Sequence, residues 1–190
     1  MSRDALSDDG WALIDSSRSN LLAKLAANGN PFGDYVNNRI FRGVLTGLNE
    51  AFVIDRATRD RLIEEDPRSA DIIKPFLAGR DIKRYIPPAS DKYLIFARRG
   101  IRINDYPAIK NHLMAFKAAL EPKPSHYEGA NWPGRKPGTY KWYEIQDSID
   151  YFEEFGKPKL LVPDIALRAN FTYDEDNGYF CVNTAYIVPT

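Results

Sequence analysis

The chain has 190 residues with 26 basic and 26 acidic side chains, long enough to bury a core without disulfide or metal staples and short enough to predict one domain. A single cysteine, Cys181, and two histidines, His112 and His126, exclude a disulfide framework and a zinc cluster. No apolar run nears the ~18 residues of a membrane span, and the opening MSRDALSDDGW lacks an apolar signal core, which predicts a cytoplasmic protein with no membrane partner.

In chain order, Trp11, Ile14, Leu21, Leu22 and Leu25 recur at near-helical spacing and predict a preface helix over Trp11–Asn28. Asp8 or Asp9 is its expected cap, and Asn28-Gly29 its stop. From Asn37 to Asp55 the sequence predicts a β-hairpin, with runs at Arg39–Leu45 and Ala51–Ile54 joined by a tight turn at Thr46–Glu50. Gly43 sits inside an apolar, β-branched run, where a glycine marks a bulge or the close approach of another backbone. The sharper alternative is a loop whose bare backbone faces an anionic ligand such as phosphate.

Two short helices are expected at Ala57–Glu65 and Ser69–Lys74, divided by Asp66-Pro67 and ended by Pro75. A short extended run through Tyr85 breaks at Pro87-Pro88, and Lys92–Ala97 is a strand by its aromatic and β-branched content. The clearest helix runs over Pro107–Leu120, with Pro in its first turn and Ile109, Leu113, Phe116 and Leu120 in one stripe. Glu121–Thr139 is a long loop with four prolines and three glycines, a length that is usually functional. Regular structure resumes at Tyr140–Gln146, where Trp142 and Tyr143 flank Ile145 in an expected strand. Further strands are expected at Lys159–Pro163, Asn170–Tyr173, Tyr179–Val182 and Ala185–Val188, with a turn at Asn177-Gly178. The pattern runs into Thr190 in mid-strand, so the chain reads as a piece of a longer polypeptide, truncated at its C-terminus.

No catalytic constellation is present: no Gly-x-Ser-x-Gly elbow, no His-Glu-x-x-His and no Gly-rich cofactor loop. Pro163-Asp164 is not followed by the Glu-x-Lys a nuclease site needs, and Glu64-Glu65 and Glu153-Glu154 read as solvated faces. The expectation is therefore no catalytic residue, no metal site and no cofactor in this chain. What the sequence does show is segregated charge. Residues 98–141 hold nine basic and three acidic side chains, whereas residues 142–190 hold three basic and nine acidic. Such asymmetry points to an anionic partner for one face.

Arginine and lysine neutralise phosphates, arginine and asparagine read purine edges, and aromatic rings stack on unstacked bases. On that chemistry the candidate DNA-binding residues fall in three segments. The first is Arg98, Arg99, Arg102 and Asn104. A second set, on the long loop and just after it, is Lys123, Tyr127, Asn131, Trp132, Arg135, Lys136 and Lys141. The third is Arg168 and Asn170. Arg135 or Arg102 is the expected base reader, and the adjacent Arg98 and Arg99 are expected to point in opposite directions. A rival reading, from the aromatics that look exposed, is a carbohydrate- or peptide-binding module.

Several runs occur in order: Gly43-x-x-Thr46-Gly47-x-Asn49-x-Ala51-Phe52-x-Ile54-Asp55, then Ile73-Lys74-Pro75-Phe76-Leu77-x-Gly79-Arg80-Asp81-Ile82. Trp142-Tyr143-Glu144-Ile145-Gln146, Lys157-Pro158-Lys159-Leu160 and Pro163-Asp164-Ile165 follow. This succession, over about residues 35–188, resembles the TaqI-like specificity domain, the target-recognition domain of many adenine-N6 DNA methyltransferases. The same domain occurs in type IIG restriction-modification enzymes and in phage-defence methylases. The resemblance implies an α+β fold, largely antiparallel sheet with flanking helices, in which residues 1–34 are a preface or linker and residues 35–190 the recognition domain. It implies double-stranded DNA as partner, together with an upstream methyltransferase domain that holds S-adenosylmethionine. Gly43, Thr46, Gly47, Asn49, Gly79, Trp142 and Lys159 belong to the shared motifs and are expected to serve the fold.

Overall fold

The structure is a computed structural model and describes residues 15–175 and 178–190. The chain divides into two units, residues 1–39 and residues 40–190. In the first, helix α1 (Ser16–Asn28) is capped by Asp15, whose carboxylate accepts the Arg18 N–H. Asp8, Asp9, Trp11 and Ile14, which the sequence places in this element, lie outside the described residues. A one-turn helix, α2 (Phe32–Tyr35), follows.

The second unit is α+β. Its helices are α3 (Asn49–Phe52), α4 (Arg56–Glu65), α5 (Pro107–Met114) and α6 (Lys117–Leu120). The strands are β1 (Phe41–Arg42), β2 (Val53–Asp55), β3 (Ile73–Leu77), β4 (Lys92–Ile95), β5 (Lys159–Pro163), β6 (Thr172–Asp174), β7 (Phe180–Cys181) and β8 (Ala185–Pro189). They form two four-stranded sheets, in the orders β1-β8-β5-β6 and β2-β4-β3-β7. Every pairing is antiparallel except β3 with β7.

The expected hairpin does not form. β1 pairs with β8 and β2 pairs with β4, so the two runs lie in different sheets. Between them, the Thr46 hydroxyl accepts the Leu48 N–H and donates to Asn49 Oδ1 (2.7 Å), turning the chain into α3. This local side-chain capture of the backbone competes with a strand ladder. Ala51 and Phe52 are adjacent and both fully buried, as a helical turn allows and an alternating strand does not.

Gly43 stands where the chain crosses from one sheet to the other. Its N–H donates to the Ala185 carbonyl (2.8 Å), while the next residue, Val44, donates to Cys181 (2.7 Å) and bridges Val182. A Cβ on Gly43 would lie 2.2 Å from the Val182 carbonyl oxygen, so no larger residue fits. The same holds at Gly79, whose Cβ would lie 2.2 Å from the Thr184 carbonyl.

The helix expected over Ser69–Lys74 is instead a 3-10 turn at Pro67–Asp71 that gives way to β3. Pro75 is therefore inside a strand. Phe96 N–H donates to the Ile72 carbonyl, which places residues 72, 74 and 76 at hydrogen-bonded positions opposite β4 and Pro75 between them. The missing N–H of Pro75 faces the other edge, where pairing with β7 begins only at Phe76. Tyr140–Gln146 is likewise not a strand but a series of turns. Its backbone donors are met by carbonyls of other segments, as in Ile145 N–H to Ala97 and Gln146 N–H to Thr46.

The predicted long helix is broken after Met114. Ala115 and Phe116 make i→i−3 bonds to His112 and Leu113, which tighten the chain before α6 while Ile109, Leu113 and Leu120 stay fully buried. The central strand pair is β5 with β8, in the register Leu161 to Ile187. Phe52, Leu94, Ile95, Leu161 and Phe155 fill the core, each contributing roughly 1.5–3 kcal/mol by leaving water. Asn177 of the expected Asn177-Gly178 turn lies outside the described residues. Its flanking strands are not hairpin partners, since β6 pairs with β5 and β7 with β3.

Candidate nucleic-acid interface

Arg135, an expected base reader, is buried, and all of its donors are used within the fold. Nε donates to the Leu120 carbonyl (2.7 Å), Nη1 to Thr46 and Glu144 (both 2.8 Å), and Nη2 to Lys141 (3.2 Å) and Trp142 (3.0 Å). The guanidinium lies 4.4 Å from the Tyr140 ring centre. Burial pushes it down to about 10, so it remains a cation at neutral pH. With five carbonyls on five donors and no open face, Arg135 has nothing left for DNA. The sequence expectation for this residue is corrected: it is a clamp that closes the long loop onto the Thr46 turn.

Arg99 and Glu144 bring the first two basic segments together. Arg99 Nη2 donates to the Gln146 carbonyl (2.6 Å) and Nη1 to Thr139 Oγ1 (3.3 Å), leaving Nε buried and without a partner. Buried Glu144 accepts the Gly100 N–H on one oxygen (2.9 Å) and the Lys141 N–H on the other (2.8 Å). Arg99 is thus held by the neighbouring segment, whereas Arg98 lays its guanidinium 4.1 Å over the Phe152 ring. Arg98 makes no side-chain hydrogen bond or ion pair among the described residues. It lines a cleft of about 600 Å³ with Lys74, Phe96, Gly100, Tyr106 and Phe152. Lys74 is a residue that sequence reasoning passed over, because its run was read as the end of a helix.

The remaining candidates differ in freedom. Arg102 is exposed but ion-paired with Asp105 (3.0 Å), and Asn104 accepts from Lys110 (2.9 Å). In the long loop the aromatics knot together rather than project. Tyr127 packs edge-on to Trp132 (5.0 Å) and donates to the Asn131 carbonyl, while Trp132 Nε1 donates to the Glu121 carbonyl (3.1 Å). Lys123 sits 5.3 Å from the Tyr127 ring. Asn131, Lys136 and Lys141 are exposed at the surface of this knot, and the Lys136 carbonyl accepts the Tyr140 hydroxyl.

The third segment stands apart. Arg168 is exposed and Asn170 half-buried on the turn between β5 and β6. That turn joins Tyr85 and Ile86 through the Phe171 carbonyl and the Thr172 hydroxyl. No hydrogen bond, ion pair or ring contact among the described residues links it to the other two segments.

Gly47 adopts φ 82°, and a Cβ there would meet Arg135 Cδ at 2.7 Å. Trp142 is half-buried against the core, edge-on to Tyr143. Lys159 is fully buried and bonds Asp174 Oδ2 (2.5 Å) and the Phe155 carbonyl (2.6 Å). Among the described residues no group of three or more His, Cys, Asp or Glu can hold a metal, and no helix is long and apolar enough to cross a membrane. Burial pushes the Cys181 thiol up to about 12, which leaves it unreactive at neutral pH.

The chain is similar to known proteins over most of its length. It is 24% identical over 187 residues to the type II methyltransferase M.BstVI of Geobacillus stearothermophilus, covering 96% of this chain and 30% of that protein. Its fold is similar to part of MmeI, a type IIL restriction-modification enzyme whose structure was solved in complex with DNA. That match has a TM-score of 0.50 and 15% identity, and covers 80% of this chain and 19% of the other. The chain therefore spans about a third or less of the length of these relatives. The model of the TaqI-like C-terminal specificity domain matches residues 74–190, more than half of the sequence, and the chain belongs to that family.

Proposed function

We propose that this chain is the DNA target-recognition domain of an adenine-specific DNA methyltransferase or of a fused restriction-modification enzyme such as type IIG. In this reading it holds duplex DNA while a catalytic domain of the same polypeptide takes the flipped adenine. The chain itself carries no catalysis. In the same reading S-adenosylmethionine belongs to that catalytic domain, and calorimetry of this chain with S-adenosylmethionine is expected to show no binding. A cytoplasmic setting and a role in phage defence belong to the same reading.

The observation that carries the proposal is the joining of the Arg98–Gly100 turn to residues 139–146 through Arg99 and Glu144. Arg98 and Lys141 stand exposed on these stitched segments and Lys136 just before the second, and none has a carboxylate within ion-pair distance among the described residues. Cations left without carboxylate partners suit a row of phosphates. Fluorescence anisotropy of the 190-residue chain with duplex oligonucleotides tests this. Affinity on the order of 10⁻⁴–10⁻⁶ M that falls steeply with salt is expected. Binding indifferent to salt, or absent, sinks the reading in favour of a carbohydrate- or peptide-binding module.

A further inference from the structure

Resting on that reading, we infer that the cleft between β3, the end of β4 and the 3-10 turn Phe152–Gly156 is a seat for one backbone phosphate of duplex DNA, held by Lys74 and Arg98. Neither side chain makes a hydrogen bond or ion pair among the described residues, although many cations of this unit do. Arg56 is paired with Asp91, Arg61 with Glu65, Arg68 with Asp66 and Lys157 with Glu154. Both unpaired cations open onto the same volume of about 600 Å³.

The walls are built to stay open. Phe152 supports the Arg98 guanidinium from below at 4.1 Å, which orients its donors without consuming them. Gly100, with φ 82°, turns the chain at the rim, and a Cβ there would meet nothing within 4 Å. Pro75 offers no N–H to the edge of β3, so this edge recruits no further strand before Phe76 meets β7.

Charge sets the class of ligand. The cleft is lined by Lys74, Arg98 and Arg99 against Asp71 and Glu153, a net of +1. A single phosphodiester carries one negative charge and matches that balance, whereas a polyanionic ligand does not. Because a phosphate contact carries no sequence information, this seat fixes register rather than specificity. The reading of bases is then left to the surface over the Arg135 clamp.

The test is a salt titration of duplex binding by the full chain. Lys74→Ala and Arg98→Ala are each expected to lower the slope of log K against log salt by about one unit and to weaken binding equally on duplexes of different sequence. Arg56→Ala, which loses an ion-paired surface arginine elsewhere, is expected to leave the slope unchanged. A duplex with a neutral methylphosphonate at the contacted linkage should reduce the wild-type slope and leave unaltered that of a variant carrying both Lys74→Ala and Arg98→Ala. Thermal melts of each variant verify folding. If the wild type binds steeply and both variants keep its slope, the phosphate seat is overturned while the recognition-domain reading stands. A preference relaxed at one base position by Arg98→Ala also overturns it, since Arg98 would then read a base. If the wild type shows no salt-dependent binding to any duplex, the recognition-domain reading falls, and the seat with it.

Discussion

Arg98 and Arg135 belong to one basic stretch of sequence and end in opposite environments. Around Arg135 five carbonyls from three segments of the chain converge on one guanidinium, and the cation is sealed under Tyr140 and Phe52. Around Arg98 there is a ring on one side and open cleft on the other. The difference is set by acceptors rather than by charge. Turns 44–49 and 139–146 lack strand partners for several carbonyls, and an arginine, with five donors in a fixed fork, satisfies them in one residue. The β4 end near Arg98 has no such debt of unpaired acceptors, so its arginine stays available.

The strongest way to break this comparison is to remove the clamp. Arg135→Ala leaves five carbonyls, three of them in buried bonds, without their donor and is expected to cost on the order of 5 kcal/mol, read as a shift in the urea midpoint at unchanged slope. Arg135→Lys should recover only part, because an ammonium has three donors and no planar fork. A loss below ~1 kcal/mol for the alanine variant would show that the carbonyls find other partners and that Arg135 is not a clamp.

Lys159 provides a second buried cation against which to measure the first. Lys159→Met strands Asp174 in the core beside the Tyr179 N–H and should destabilise by roughly 3–5 kcal/mol. Adding Asp174→Asn removes the stranded charge while keeping an oxygen for Tyr179, so the double variant is expected to be more stable than Lys159→Met alone. If the pair of changes is simply additive in chemical denaturation, the ion pair is not what holds β5 against β6.

Two glycines sharpen the comparison at smaller scale. Gly47 and Gly100 both have φ 82°, but a Cβ on Gly47 meets Arg135 and Gln146 whereas one on Gly100 meets nothing. Gly47→Val is expected to cost ~1–3 kcal/mol from backbone strain, increased by the collision with the clamp. Gly100→Ala should show strain alone, ~1–2 kcal/mol. Equal losses in thermal melts would mean that the clamp yields to Gly47 substitution.

The smallest structural effect belongs to Arg98→Ala. Without a hydrogen-bonded partner its removal should shift stability by within about 0.5 kcal/mol. A melt depressed as far as that of Arg135→Ala would erase the contrast between the two arginines.

Much of the fold was legible where pattern is local. β5, β4 and the start of α5 follow from alternation, β-branched content and a helical stripe capped by Pro107, and β5 matches its expected span of Lys159–Pro163. The family, too, was legible from its ordered motifs. Locally similar runs misled where partners are distant. Arg39–Leu45 and Ala51–Ile54 look like hairpin strands because each is extended and a glycine lies between them. Their partners, β8 and β4, come from elsewhere in the chain, and no pairing rule within the run could show it. Lys74 was missed for a related reason: a proline following a short polar run reads as a helix stop unless the unpaired edge beside it is known.

What the sequence by itself determined is the composition of the elements and the accumulation of basic charge between residues 98 and 141. Periodicity, side-chain volume and formal charge are properties of a residue and its near neighbours. Which of those charges face solvent was decided by the tertiary structure alone. Burial of a cation depends on acceptors brought together from across the chain, as when Arg135 reaches Thr46, 89 residues away, while Arg98 and Lys74 line an open cleft without a hydrogen-bonded or ion-paired partner.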